Sequence, residues 1–242
     1  MTALARTRLQ DADPHFDPDV LQPQLEERGW ALCPGLLGRE QCQALRTWNA
    51  EAERFRTRVD MERHAFGRGD YGYFAAPLPE PIESLRQDCY PALASVANRW
   101  CEQMGRPERY PAALGEFSER CREAGQTQPT CLLLRYSEGG YNRMHQDQYG
   151  PLAFPLQVVV LLSRPGTEFE GGEFLVSEQR PRGQMRIEIA RPAQGDAIVF
   201  PNAWRPVANA AGALRRTAVR HGLARVTRGE RFALGLIFHD GQ

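Results

Sequence analysis

From Cys131 onward the chain runs in short apolar stretches broken by turn residues: CLLLRY, FPLQVVVLLS, GGEFLVS, MRIEIA, AIVF, RTAVRHGLA and RFALGLIF. Pro165-Gly166, Gly171-Gly172 and Gly195-Asp196 punctuate them. Many short strands at close spacing predict a barrel or sandwich. Before that point the period is helical. Asp17-Pro18 starts a helix that carries Val20, Leu21 and Leu25 and stops at Gly29. Trp30–Leu37 reads as extended. Cys42, Leu45, Trp48 and Ala52 predict a helix from Arg39 to Val59, and a helical pair spans Glu80–Met104 with a break at Pro91. His64–Leu78, rich in glycine and aromatics, reads as a loop.

The expected fold class is α+β with a mainly β core. Residues 1–125 form helices that support a β core over 126–242, in one fused domain. At 242 residues the chain has the size of one large domain.

Composition excludes several chemistries. All 30 basic residues are arginine, so no Schiff-base lysine and no P-loop lysine exist. No apolar run approaches the roughly 20 residues of a membrane span. The N-terminus, MTALARTRLQDADPHFDP, lacks the apolar segment of a secretory signal, so a cytoplasmic location is expected. Cys33, Cys42, Cys89, Cys101, Cys121 and Cys131 include no C-x-x-C pair and read as free thiols.

Net charge is zero but unevenly spread. Eleven arginines between Arg180 and Arg231 stand against Glu188, Asp196 and Glu230, a local surplus of eight. Such a surplus fits a nucleic-acid partner, or arginines on outward strand faces with one or two bound to a cosubstrate.

His145-Gln146-Asp147 precedes a β run. On an extended chain residues 145 and 147 share a face, so an imidazole and a carboxylate converge while Gln146 points away. His221, in the strand-like VRHGLARV, supplies a second imidazole. Together they fit the two-histidine, one-carboxylate triad that leaves coordination positions open on iron(II). Arg231 opens the final strand ten residues later. Its planar fork suits the distal carboxylate of a 2-oxoglutarate that chelates the metal by its 2-oxo acid end. His239-Asp240 is the rival, but His239 lies eight residues beyond Arg231, about 26 Å along a strand.

Two segments carry a family resemblance. RYSEGGYNRMHQD, residues 135–147, resembles the entry to the metal site of prolyl-4-hydroxylase-like oxygenases, and HGLARVTRGER, residues 221–231, resembles their distal histidine and cosubstrate-binding basic residue. GGEF at 171–174 and GDAIVFP at 195–201 occupy the intervening strands. The N-terminal half, including FGRGDYGYF, is similar to a bacterial AlkB-like subgroup described as acting on damaged DNA. The resemblance implies a double-stranded β-helix, or jelly roll, with N-terminal supporting helices. It also implies an iron(II)- and 2-oxoglutarate-dependent dioxygenase that uses O2, with ascorbate as reductant. The metal would sit on His145, Asp147 and His221, and Arg231 would bind the cosubstrate.

Tyr136, Tyr141 and Gln157 are further cosubstrate-binding candidates, Gln157 because its amide interrupts an apolar strand. Tyr71, Tyr73 and Phe74, with Arg63 and Arg68, could stack on a base or pin their loop to the core. His64 could line an entrance. Strand parity turns Arg220 to solvent, and His15 carries no signal. Three functions remain open at this point: oxidation of alkylated nucleobases, hydroxylation of a protein side chain or small metabolite, and a non-enzymatic β-helix binding module.

Overall fold

In the computed structural model the described residues are 16–147, 149–179, 183–209 and 211–242. His15, Arg180 and Arg182 lie outside them. Two β-sheets carry the architecture. The larger has the order β1 (Ala31–Cys33), β11 (Ala197–Pro201), β7 (Leu156–Leu161), β15 (Arg231–Leu236), β5 (Leu132–Tyr136), β4 (Asp70–Phe74) and β2 (Phe55–Asp60). The smaller runs β10 (Met185–Ala190), β9 (Phe174–Gln179), β13 (Leu214–Leu223), β6 (Tyr141–His145) and β3 (Gly67–Arg68), with β12 (Trp204–Ala208) also paired to β13. A ribbon of β8 (Phe169–Gly171) and β14 (Val226–Gly229) closes one end.

The two faces of the large sheet explain its sequence. Val159, Ile198, Phe200 and Ala233 point toward the small sheet and pack with Phe174, Val176 and Val219. Their neighbours Val158, Val160, Val199, Leu234 and Leu236 point the other way. There they meet helices α1 (Pro18–Arg28), α2 (Arg39–Thr47), α3 (Glu80–Gln103) and α4 (Leu114–Glu123). A strand buried on both faces reads as a continuous apolar run, as FPLQVVVLLS does. This is a jelly roll: two sheets face to face, with helices on the outer side of one.

The first helix begins and ends where its caps predict. The Asp17 side chain accepts from the Asp19 N–H, and Gly29 closes the helix at φ +80°. Three other expectations are corrected. The helix over Arg39–Val59 stops at Thr47; two short 3-10 turns follow, and Phe55–Asp60 is a strand paired with Asp70–Phe74. The Gly-rich segment 64–78 is therefore strand in large part, with β3 and β4 inside it. The break at Pro91 does not occur, and α3 runs unbroken from Glu80 to Gln103. Pro91 is solvent-exposed, where water can satisfy the carbonyl it leaves unpaired, while Tyr90, Leu93, Val96, Ala97 and Trp100 anchor the helix.

Arg86 of α3 fixes the chain beyond β15. Its guanidinium donates to the Ile237 carbonyl and to Asp240, both at 2.8 Å, from a site only 4% exposed. All six cysteines are buried, and none forms a disulfide. Among the described residues no helix is long and apolar enough to cross a membrane.

Candidate metal centre and cosubstrate pocket

β6 and β13 pair antiparallel with His145 directly opposite His221. A side chain at Gly222 would meet the Met144 sulfur at 2.8 Å and the Asn142 carbonyl at 2.9 Å, so the missing Cβ lets the strands close at this point. The two imidazole centroids are 4.2 Å apart. Asp147, just past the end of β6, completes the group: its Oδ1 is 3.5 Å from His145 Nε2 and its Oδ2 is 3.2 Å from His221 Nε2. One donor atom from each residue lies within 4.8 Å of the other two. Metal–ligand bonds of about 2.1 Å would set neighbouring donors about 3 Å apart, close to these separations. The three residues could hold one ion.

The surroundings fix each donor. His145 Nδ1 is 2.7 Å from the Arg143 carbonyl. A proton there leaves the Nε2 lone pair facing Asp147. Gln146 turns away and donates to the carbonyls of Ala203 and Val219 at 2.7 and 2.8 Å, which ties the end of β6 to the neighbouring chain. The Asp147 carboxylate accepts from the Tyr149 hydroxyl at 3.0 Å and from Gln157 Nε2 at 3.1 Å, and its backbone N–H donates to Asn202. Burial alone would raise this carboxyl; His221, His145 and Gln157 outweigh it and hold Asp147 well below the usual range. Burial, and then the neighbouring His221, push the His145 imidazole down, toward the neutral form a metal requires.

A cavity of about 630 Å³ opens on this group, and Arg231 lines it too. Arg231 is 3% exposed, its Nε has no hydrogen-bond partner, and it forms no ion pair among the described residues. Burial pushes the guanidinium down to about 10, with Tyr136 opposing, so it remains a cation at neutral pH. An unpaired buried cation is costly. A planar fork facing a cavity fits an anionic ligand such as a carboxylate.

The other candidates fall in different places. Tyr136 is opposite Arg231 on β5, buried in the cavity wall, with its hydroxyl 3.4 Å from the Asn142 amide. Gln157 is in the cavity but spends its amide on Asp147. Tyr141 is not among the cavity residues and lies under the Arg225 guanidinium. Tyr71 and Tyr73 line the cavity, whereas Phe74 is buried against Phe55 and Trp48. His239 is buried apart from the His145, Asp147, His221 group; its Nδ1 accepts from the Phe154 N–H. Tyr149 and Asn202 were not anticipated. Tyr149 shares the parity of residues 145 and 147, a signal that could have found it; Asn202 left none.

Among the described residues, part of the arginine surplus is neutralised by acidic partners. Arg186, Arg191, Arg205 and Arg228 pair with Glu188, Glu173, Glu178 and Glu170, three of which lie outside the Arg180–Arg231 window. Arg220 is exposed, as its parity required. At the cavity mouth the picture is different. Phe66 is 49% exposed, stacks on His64 at 5.4 Å, and lines the cavity together with the exposed Arg143.

Residues 69–241 match the model of the Oxygenase-NA family, described as an oxygenase "catalysing oxidative methylation of damaged DNA". An uncharacterized protein of Mycobacterium tuberculosis is 40% identical over 223 residues, covering 84% of this chain and 95% of its own. A prolyl-4-hydroxylase from Pseudomonas putida has a similar structure at TM-score 0.52 and 17% identity, covering 93% of this chain and all of its own. An oxidoreductase of the 2OG-Fe(II) oxygenase family from Burkholderia pseudomallei aligns at TM-score 0.50 and 18% identity, covering 91% and 89%.

Proposed function

Because this chain belongs to the Oxygenase-NA family, we propose that it is an iron(II)- and 2-oxoglutarate-dependent oxygenase, that His145, Asp147 and His221 hold its iron and that Arg231 receives the distal carboxylate of 2-oxoglutarate. One observation carries this reading: three converging donors and a buried guanidinium with no ion-pair partner among the described residues open on the same cavity. Bound iron, 2-oxoglutarate and dioxygen supply the oxidising chemistry, in which a substrate C–H bond is hydroxylated while the cosubstrate leaves as succinate and carbon dioxide.

The chain's own residues supply position. The Arg143 carbonyl orients His145, Tyr149 and Gln157 orient the two oxygens of Asp147, and Asn202 holds its backbone. Arg231 and Tyr136, opposite one another in register, form one polar part of the pocket, and His145, Asp147, His221 and Gln157 form another.

The substrate is an N-alkylated nucleobase. The family description supports this choice, and so does the mouth of the cavity. There an exposed Phe66–His64 stack beside Arg143 offers an aromatic face and a cation to an unstacked nucleotide. Hydroxylation of an N-methyl carbon gives an unstable product that releases formaldehyde and restores the N–H of the base. The test is succinate and formaldehyde release by iron-loaded protein with ascorbate, with and without methylated single-stranded DNA. Stimulation by the DNA with equal formaldehyde supports the reading. Succinate without stimulation would redirect the substrate to a protein side chain or small metabolite.

A further inference from the structure

β10 is the end strand of the small sheet, and β9 is its strand partner. Its sequence is Met185-Arg186-Ile187-Glu188-Ile189-Ala190. The odd positions present a ridge of large apolar side chains to solvent: Met185 is 49% exposed, Ile187 55% and Ile189 44%. Apart from Val20 and Phe66, these are the exposed large hydrophobics of the described residues. Phe66 belongs to the cavity mouth, so the ridge is the extended apolar surface that the oxygenase site leaves unexplained. An exposed, regular edge strand with apolar side chains is the kind of surface that proteins normally cover or break with charge.

The pattern is complementary to itself. If two copies of β10 run antiparallel with Ile187 opposite Ile187, Met185 falls opposite Ile189 of the partner, and Arg186 opposite Glu188 of the partner. Residues directly opposite share a face. One face therefore gains three apolar cross-strand pairs, and the other gains two arginine–glutamate pairs. Within one copy, Arg186 and Glu188 lie side by side with Nε 2.9 Å from Oε1, and Arg186 also donates to the Glu27 carbonyl at 3.1 Å, so both charges are on the same face. A shift of one residue in the register would set Ile against Arg or Glu and lose both sets of pairs.

We propose that β10 is a homodimerisation edge, with two copies of the chain pairing antiparallel about a two-fold axis at Ile187. The pairing joins the two small sheets into one continuous sheet. β13, which carries His221, lies two strands from the axis in each copy. The contact is isologous, so it closes at two copies and leaves no further edge of the same kind. This inference is independent of the metal assignment and of the substrate.

Sedimentation of the purified full chain at micromolar concentration tests it. The wild type is expected to sediment as a dimer, and Ile187→Lys, which sets two ammonium groups against each other on the axis, to raise the dissociation constant at least about tenfold. Arg186→Glu should weaken the dimer by facing two glutamates, and the exchange Arg186→Glu/Glu188→Arg should restore it. Ile187→Cys should crosslink two chains under mild oxidation, because opposed residues in an antiparallel ladder lie within disulfide reach; the native thiols are buried. A monomeric wild type, or a dimer unchanged by Ile187→Lys and not restored by the charge exchange, overturns the proposal. Circular dichroism separates a folded monomer from an unfolded variant.

Discussion

His145 and His221 stand directly opposite each other across the β6–β13 ladder, with ring centroids 4.2 Å apart and both Nε2 atoms within 3.5 Å of the Asp147 carboxylate. A strand pairing therefore sets the geometry of the group, and the chain distance between the two histidines does not matter to it. Replacing Gly222 should disturb the centre without touching a donor. Gly222→Val is expected to push β13 from β6 and to lower iron affinity about 10- to 100-fold, the cost usual for a disturbed supporting residue. Iron retained at equilibrium dialysis is the measurement.

Arg231 makes a prediction in which stability and activity move in opposite directions. Without ligand, the guanidinium is buried with no ion-pair partner among the described residues, so Arg231→Met should leave the metal-free protein at least as stable as wild type. The same change removes a charge-assisted bond to the cosubstrate, worth about 1.5–3 kcal/mol. The KM for 2-oxoglutarate should rise about 10- to 100-fold. Thermal unfolding and a 2-oxoglutarate titration check the two halves separately.

Much of the site was legible because it obeys parity. His145 and Asp147 share a face and Gln146 turns away, as alternation requires. Arg231 faces inward with Ala233, while Phe232 and Leu234 face the helices. The rest depended on distant partners. Phe55–Asp60 is a strand because Asp70–Phe74 lies beside it, and a glycine-rich partner hides that pairing from local pattern. Pro91 marks a helix break only if its flanking residues lack a core to hold them; here they pack on one. The arginine surplus is smaller in the fold than along the chain, because Glu170, Glu173 and Glu178 precede it in sequence and meet it only in the fold.

Arg205 and Glu178 form a pair that is 2% exposed at both ends, with Arg205 also donating to the Glu26 carbonyl at 2.9 Å. Glu178→Ala removes the buried carboxylate that faces the Arg205 guanidinium and should destabilise the fold by about 3–5 kcal/mol. Glu178→Leu with Arg205→Met should recover most of the loss. Urea midpoints of the two variants against wild type decide it.

Burial pushes the His239 imidazole from 6.5 down to about 4. Above pH 6.5 the ring is neutral whether the chain is folded or not. As pH falls from 6.5 toward 4 the unfolded chain takes up a proton that the folded chain refuses, so stability drops, by up to about 1.4 kcal/mol per pH unit. His239→Gln keeps an acceptor for the Phe154 N–H and removes this proton uptake. The stability difference between wild type and variant should shift in favour of the variant across that window and stay flat above it, as read by denaturation at pH 7.5, 6 and 5.

The most direct test of the iron assignment is succinate release, with bound iron measured on the same samples. Reconstituted wild type and Asp147→Ala are each given 2-oxoglutarate and ascorbate under air. Wild type should bind one iron per chain and form succinate, whereas Asp147→Ala should stay folded and lose both. Undiminished succinate formation from Asp147→Ala would contradict the centre proposed on His145, Asp147 and His221.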